Sequence, residues 1–240
     1  MGSDALRVDL GARGWAEDDP LREEAALVGR AKGERDAFAL LYARYAELTG
    51  RPVDLDAIRH HHLSFTLSNQ LAFHSALADP PPGSDYMTNL QWCCETNLFA
   101  VEALADETGV ELPEVAIPEA EVSLAAVPAR HLVGELRSGD YEQRRLFRLA
   151  RHLQRVDEIG RTCTEADLDD LATLLGRRPS TWQEGDAELE RFVQADEGAH
   201  DAELVVLLHR RLWRAHQMLG PSGSAMTRHL PIQRFSPRAT

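Results

Sequence analysis

Three histidines in a row, His60-His61-His62, are the most conspicuous ligating side chains in this 240-residue chain. On an α-helix successive residues point about 100° apart, so three neighbours cannot close on one metal ion. The run reads as a surface or cleft-edge feature. Glu197-x-x-His200 has the spacing of di-iron helical bundles, where two such motifs and two further glutamates converge. The chain has no second Glu-x-x-His, and Gly198 weakens a helix through this one. Cys93 with nearby Glu95 suggests nucleophilic chemistry, but a catalytic thiol needs a base and an activated, partly exposed setting. Cys93 falls in line with Leu90, Asn97 and Val101, a mostly apolar stripe, and reads as a core thiol.

Richer in potential chemistry is the stretch from Asp54 to Ala78. Leu55, Ile58, Phe65 and Ala72 lie on one side of a helix there, and Leu63, Leu67, Leu71 and Leu77 on another. A helix apolar on more than one side is expected to be central. Polar groups recur along it: His61, Ser68, Asn69, Gln70 and His74. On a central helix these must pair internally or line a wet cleft, and the pattern leaves both open.

The elements that must hold these groups are helical almost throughout, because Ala, Leu, Glu and Arg dominate and strand-like alternation is scarce. The spacing predicts an arm to about Asp19 and a short polar helix from Pro20 to near Gly33. Phe38, Leu41, Tyr42, Tyr45 and Leu48 mark a helix that Gly50 stops. Asp54 caps the next, which Pro80-Pro81-Pro82 cuts off, and Ser84 caps another ending at Gly109. Two prolines between Leu112 and Glu119 mark the best internal boundary. Beyond it come expected helices around 120–138, near 141–159 (stopped by Gly160) and near 165–175 (capped by Thr164, stopped by Gly176). A last one runs from near Ala199 to Gly220-Pro221. The implied organisation is 1–34 arm and short helix, 35–112 first helical segment, 119–220 helical extension, and 221–240 a draped or disordered tail.

Composition excludes several functions. The net charge is −13, from 39 acidic against 26 basic residues, which disfavours nucleic-acid binding. Acidic residues stop at Glu203, after which Arg210, Arg211, Arg214, Arg228, Arg234 and Arg238 follow, so this end is expected to pack on the acidic remainder. No apolar run reaches the roughly 20 residues that span a bilayer, and the first twenty residues lack a signal peptide's basic start. Three cysteines without a CxxC pair suit a reducing cytoplasm. No glycine-rich phosphate loop, Gly-x-Ser-x-Gly elbow, or His-x-Asp loop with a later metal-binding Asp occurs.

Two stretches carry a family likeness. Leu41-Tyr-Ala-Arg-Tyr-Ala-Glu-Leu-Thr-Gly-Arg-Pro-Val-Asp-Leu-Asp-Ala-Ile58, followed by Phe65-Thr-Leu-Ser-Asn-Gln-Leu71, resembles the C-terminal helical lobe of bacterial aminoglycoside/choline kinase-like phosphotransferases. Asp85 to Phe99 is similar to the next helix of one subgroup. The likeness is best over about 38–113 and begins downstream of the catalytic and magnesium-binding aspartates, which have no matching positions here. It implies an all-α bundle like a kinase-type C-lobe that seats an acceptor, with His61, Asn69, His74 and Glu95 facing it. ATP and magnesium would then be bound only if a partner chain supplied the nucleotide lobe.

Three readings follow: such an acceptor-binding lobe, inactive alone; a non-catalytic helical binding or regulatory module docking through its basic C-terminal helix; and a metal-dependent helical enzyme using the histidines with Glu197 and His200. The first also predicts an exposed apolar face covered by a partner chain or a second copy.

Overall fold

A computed structural model describes residues 35–137 and 139–232, and side chains from Leu41 onward. The expected arm and the helix from Pro20 lie outside the described residues. Seven α-helices and one short 3-10 turn make up the regular structure, with no strand among the described residues. The fold is all-α. The helices are α1 Arg35–Thr49, α2 Leu55–Ala78, α3 Tyr86–Thr108, α4 Ala126–Glu135, α5 Tyr141–Leu175, α6 Trp182–Ala195 and α7 Asp201–Gln217; the 3-10 turn is Ala225–Thr227. Among the described residues, no helix is long and apolar enough to cross a membrane. The chain divides into two compact units, one holding the described residues up to Ala57 and the other Ile58–Ile232.

The first unit is α1, the turn after it and the start of α2. Gly50 ends α1 with φ of +64°, a left-handed conformation that glycine adopts without a Cβ penalty. Asp54 then caps α2 as expected, its carboxylate accepting the Ala57 N–H at 2.9 Å.

The second unit is built on α3 and α7, which pack chiefly on each other, with α5 against both. Its core has three apolar clusters. Leu171, Leu189, Leu204 and Leu207 join α5, α6 and α7. Val101, Ala105 and Val205 join α3 to α7. Met87 and Cys94 of α3 close on Leu219, just past α7. Each fully buried side chain of this size contributes about 1.5–3 kcal/mol.

Several boundaries differ from the expected ones. Asp85, not Ser84, caps α3, accepting the Thr88 N–H at 3.1 Å. Residues 110–125 contain no helix, so α4 is shorter than expected; Pro128 falls in its first turn, where a missing N–H costs nothing. Gly160 does not stop a helix: α5 runs 35 residues straight through it. A helical glycine costs about 1 kcal/mol, and Ile159 and Cys163, each 1% exposed, anchor the helix on both sides of it. Thr164 therefore bonds back to the Gly160 carbonyl at 2.9 Å instead of capping. Helix α6 went unpredicted; Thr181 caps it by accepting the Glu184 N–H, while the Glu184 carboxylate accepts the Ser180 N–H.

The arginines of α7 pack on acidic neighbours as their charge implies. Arg210 pairs with Asp170, Arg211 with Asp186, and Arg214 with both Asp167 and Asp170. Asp167 is partly buried, and burial raises its pKa against the lowering effect of Arg214.

The largest departure is α2. Only Thr66 of its 24 residues is buried, while Phe65 is 57% and Leu71 69% exposed. The helix is superficial, not central. It is tied to α3 by the Arg59–Asp106 ion pair at 3.1 Å and by Phe73 stacked near Trp92.

Candidate functional site

Polar chemistry concentrates where α3 faces α7 and the segment that follows it. Glu95 and Glu102 are seven residues apart on α3, two helical turns, so both carboxylates point the same way. Opposite them His216 leaves α7 and His229 leaves the segment beyond. All four are buried.

The hydrogen bonds form one chain. His216 Nε2 donates to Glu95 Oε1 at 2.7 Å. His229 Nδ1 lies 2.7 Å from Glu95 Oε2, and His229 Nε2 lies 2.8 Å from Glu102 Oε1. The Ile232 backbone N–H completes it, donating to Glu102 Oε2 at 2.8 Å. All four carboxylate oxygens are thus occupied, as a buried polar network requires. His216 Nδ1 has no hydrogen-bond partner among the described residues. Nε2 is therefore the His216 nitrogen that carries the hydrogen given to Glu95.

Aromatic rings wall the network. Trp213 stands edge-on to His216, His229 and His209, with centroids 5.3–6.3 Å apart. Phe99 packs 5.2 Å from His229. Burial alone would push the Glu95 carboxyl up, but hydrogen bonds from His216 and His229 and the charge of His229 outweigh it and hold it at about 2. Burial likewise opposes a charged His229, yet the bonds and charges of Glu102 and Glu95 raise that ring to about 9. Beside them, burial pushes the Cys94 thiol up to about 12 and raises that of Cys93, so neither supplies a thiolate near neutrality.

Of the four residues nominated from the sequence, Glu95 alone enters this network. His61 and His74 are exposed and Asn69 is half-buried on α2, and no described hydrogen bond or ring contact joins any of them to Glu95. His61 stacks on its neighbour Phe65, with centroids 6.1 Å apart. His60 and His62 are also exposed, as a surface run should be. Glu197 is exposed, and His200 Nδ1 meets Asp196 at 2.6 Å. No three His, Cys, Asp or Glu side chains among the described residues converge as metal ligands.

Glu102, His216 and His229 escaped the sequence reading. Glu95 and Glu102 share a seven-residue spacing, and so do His209 and His216 on the opposing helix; those paired spacings were the available signal. His229 carried none, standing in a tail of Gly, Pro, Ser and Thr. Compared with family models, characterised proteins and solved structures, the chain matches none of them.

Proposed function

We propose that this chain is the helical acceptor-binding lobe of a phosphotransferase-like protein, inactive alone and completed by a partner chain that brings ATP, magnesium and the catalytic carboxylates. The observation that carries the reading is the exposure of α2. A 24-residue helix with leucines on two sides, of which only Thr66 is buried, has more apolar surface than its own fold uses. Phe65, Leu67 and Leu71, with Trp92 of α3, are the exposed side chains that a nucleotide lobe would cover. The kinase-like character itself rests on the resemblance over residues 38–113. Phosphoryl transfer depends on holding nucleotide, metal and acceptor in line, so the contribution of such a lobe is positioning.

One observation favours a second reading, a non-catalytic binding module. Both oxygens of Glu95, the one nominated residue at the buried network, already accept from the protein's own histidines, so an acceptor would have to share them.

The test is ATP consumption by the chain purified from its own host, assayed alone and with whatever protein accompanies it. The acceptor-lobe reading expects no turnover by the chain alone, and turnover when an accompanying polypeptide with a nucleotide site is present. ATP consumption by the isolated chain overturns it. Recovery of only partners that lack a nucleotide site decides for the binding module.

A further inference from the structure

The polypeptide beyond α7 has little of its own to hold it in place. Between Gly220 and Ile232 its internal hydrogen bonds are local, from Ser224 and Thr227 back to Pro221 and Ser224. Met226 packs against the Met87–Cys94–Leu219 cluster. From there onward Arg228, Leu230 and Pro231 are exposed, and His229 is the one buried side chain. A tail expected to be draped or disordered is therefore anchored, beyond Met226, by the His229 ring and by the Ile232 N–H bond to Glu102.

We propose that His229 is a latch: clasped between Glu95 and Glu102, its ring fastens residues 227–232 across α3, and they come free when the ring loses a proton.

The geometry demands a doubly protonated ring. Glu95 Oε2 and Glu102 Oε1 both accept from it, at 2.7 and 2.8 Å, and neutral imidazole has only one N–H. Deprotonation sets a nitrogen lone pair against a buried carboxylate, an unpaired contact in a place water does not reach. The Ile232 N–H bond to Glu102 lies three residues on and goes with it. The groups facing the ring are Glu95, Glu102 and Phe99 of α3, and Trp213 and His216 of α7, the last 5.8 Å away between centroids. Of the neighbours on its own segment, Arg228 is charged but exposed. The carboxylates dominate this surrounding, so release belongs near pH 9. The inference concerns the chain's own C-terminal segment and holds for either functional reading.

Trypsin reads the latch directly, because Arg228 immediately precedes His229. The full chain is digested at intervals from pH 7 to 10, and cleavage after Arg228 is divided by that of a free peptide of residues 222–232 at the same pH. Cleavage after Arg155, buried within α5, is followed in the same digests as a measure of global unfolding. The expected result is protection at pH 7 that falls about tenfold or more through pH 9, with Arg155 still protected. His229→Gln should be cut freely after Arg228 across the range. Glu102→Gln, which keeps the Glu95 contact, should release at least about one pH unit lower, and this variant decides if His229→Gln does not fold. Protection unchanged to pH 10, cleavage after Arg155 rising in parallel, His229→Gln as resistant as the parent, or an unshifted Glu102→Gln each overturn the latch.

Discussion

Glu95 and His216 meet at 2.7 Å although 121 positions separate them, and both are buried. Their contact fixes how α3 and α7 face each other at the one place along that interface where four polar side chains are linked in series. Apolar pairs such as Val101 with Val205 supply the burial energy, whereas a directed hydrogen bond fixes which residues oppose. Removing one partner of a buried charged pair leaves the other uncompensated, at a cost of about 3–5 kcal/mol. Glu95→Gln should therefore lower the unfolding free energy by that much, read as a lower urea midpoint with the slope of the transition unchanged. A loss below about 1 kcal/mol would show that the network adds little to the α3–α7 interface.

Stability should follow pH through these same groups. The folded-state pKa of His229 is raised from 6.5 to about 9, so its contribution is complete below pH 6.5 and disappears as pH climbs through 9. The Glu95 carboxyl is depressed from 4.5 to about 2, so its contribution is complete above pH 4.5 and disappears as pH falls through 2. His152, whose pKa burial lowers, adds a further loss below pH 6.5. The Cys94 thiol, raised from 9.0 to about 12, adds a loss that starts only above pH 9. Between pH 6.5 and 9 His229 shares the window with His200, whose pKa is raised by its hydrogen bond to Asp196, so the comparison with His229→Gln is what separates the two. Calorimetry should show Tm declining there in the parent chain and much less in His229→Gln; equal slopes would remove the imidazolium from the account.

What could be read from the sequence was what depends on local pattern. Helix α1, the Asp54 cap of α2, the Gly109 and Gly176 stops and the burial of Cys93 all rest on residues within one or two turns. Tertiary packing decided the rest. Gly160 looked like a terminator, but what carries the helix through it is packing around Ile159 and Cys163, supplied by distant residues. Two apolar faces on α2 looked like centrality, yet periodicity cannot tell a face covered by the chain from one left in the open. Glu95 was visible as a candidate, while its partners His216 and His229 lie more than a hundred positions away, beyond any spacing argument.

The exposed face of α2 offers a separate test. Leu71 is 69% exposed, so Leu71→Asp removes almost no internal packing and should change stability by no more than about 0.5 kcal/mol. If the face receives a nucleotide-binding partner, the same substitution places a charge in an apolar interface and should weaken association at least about tenfold. Titration of the purified partner against parent and variant gives both affinities. Equal affinities would move the docking surface elsewhere.

Two helical glycines should respond to alanine with opposite signs. At Gly160 an added Cβ would lie 3.3 Å from Val156 Cγ1 and 3.7 Å from Met218 Sδ. Val156 is 37% exposed and has room to yield, so the gain in helix propensity of about 1 kcal/mol should outweigh the crowding. At Gly185 the Cβ would come 2.8 Å from Leu171 Cδ1, with Leu168 and Pro179 3.6 Å away. All three neighbours are buried, and Leu171 belongs to the α5–α6–α7 core, so the ring of contacts has nowhere to retreat. Overpacking of this kind costs about 1–3 kcal/mol. Gly160→Ala should raise the urea midpoint slightly, and Gly185→Ala should lower it by a net loss on the order of 1 kcal/mol after the propensity gain. A destabilised Gly160→Ala would mean that Met218 and Val156 hold α5 against the segment beyond α7 more tightly than their exposure implies. A stabilised Gly185→Ala would mean that the Leu171 cluster is loose enough to accept another methyl group.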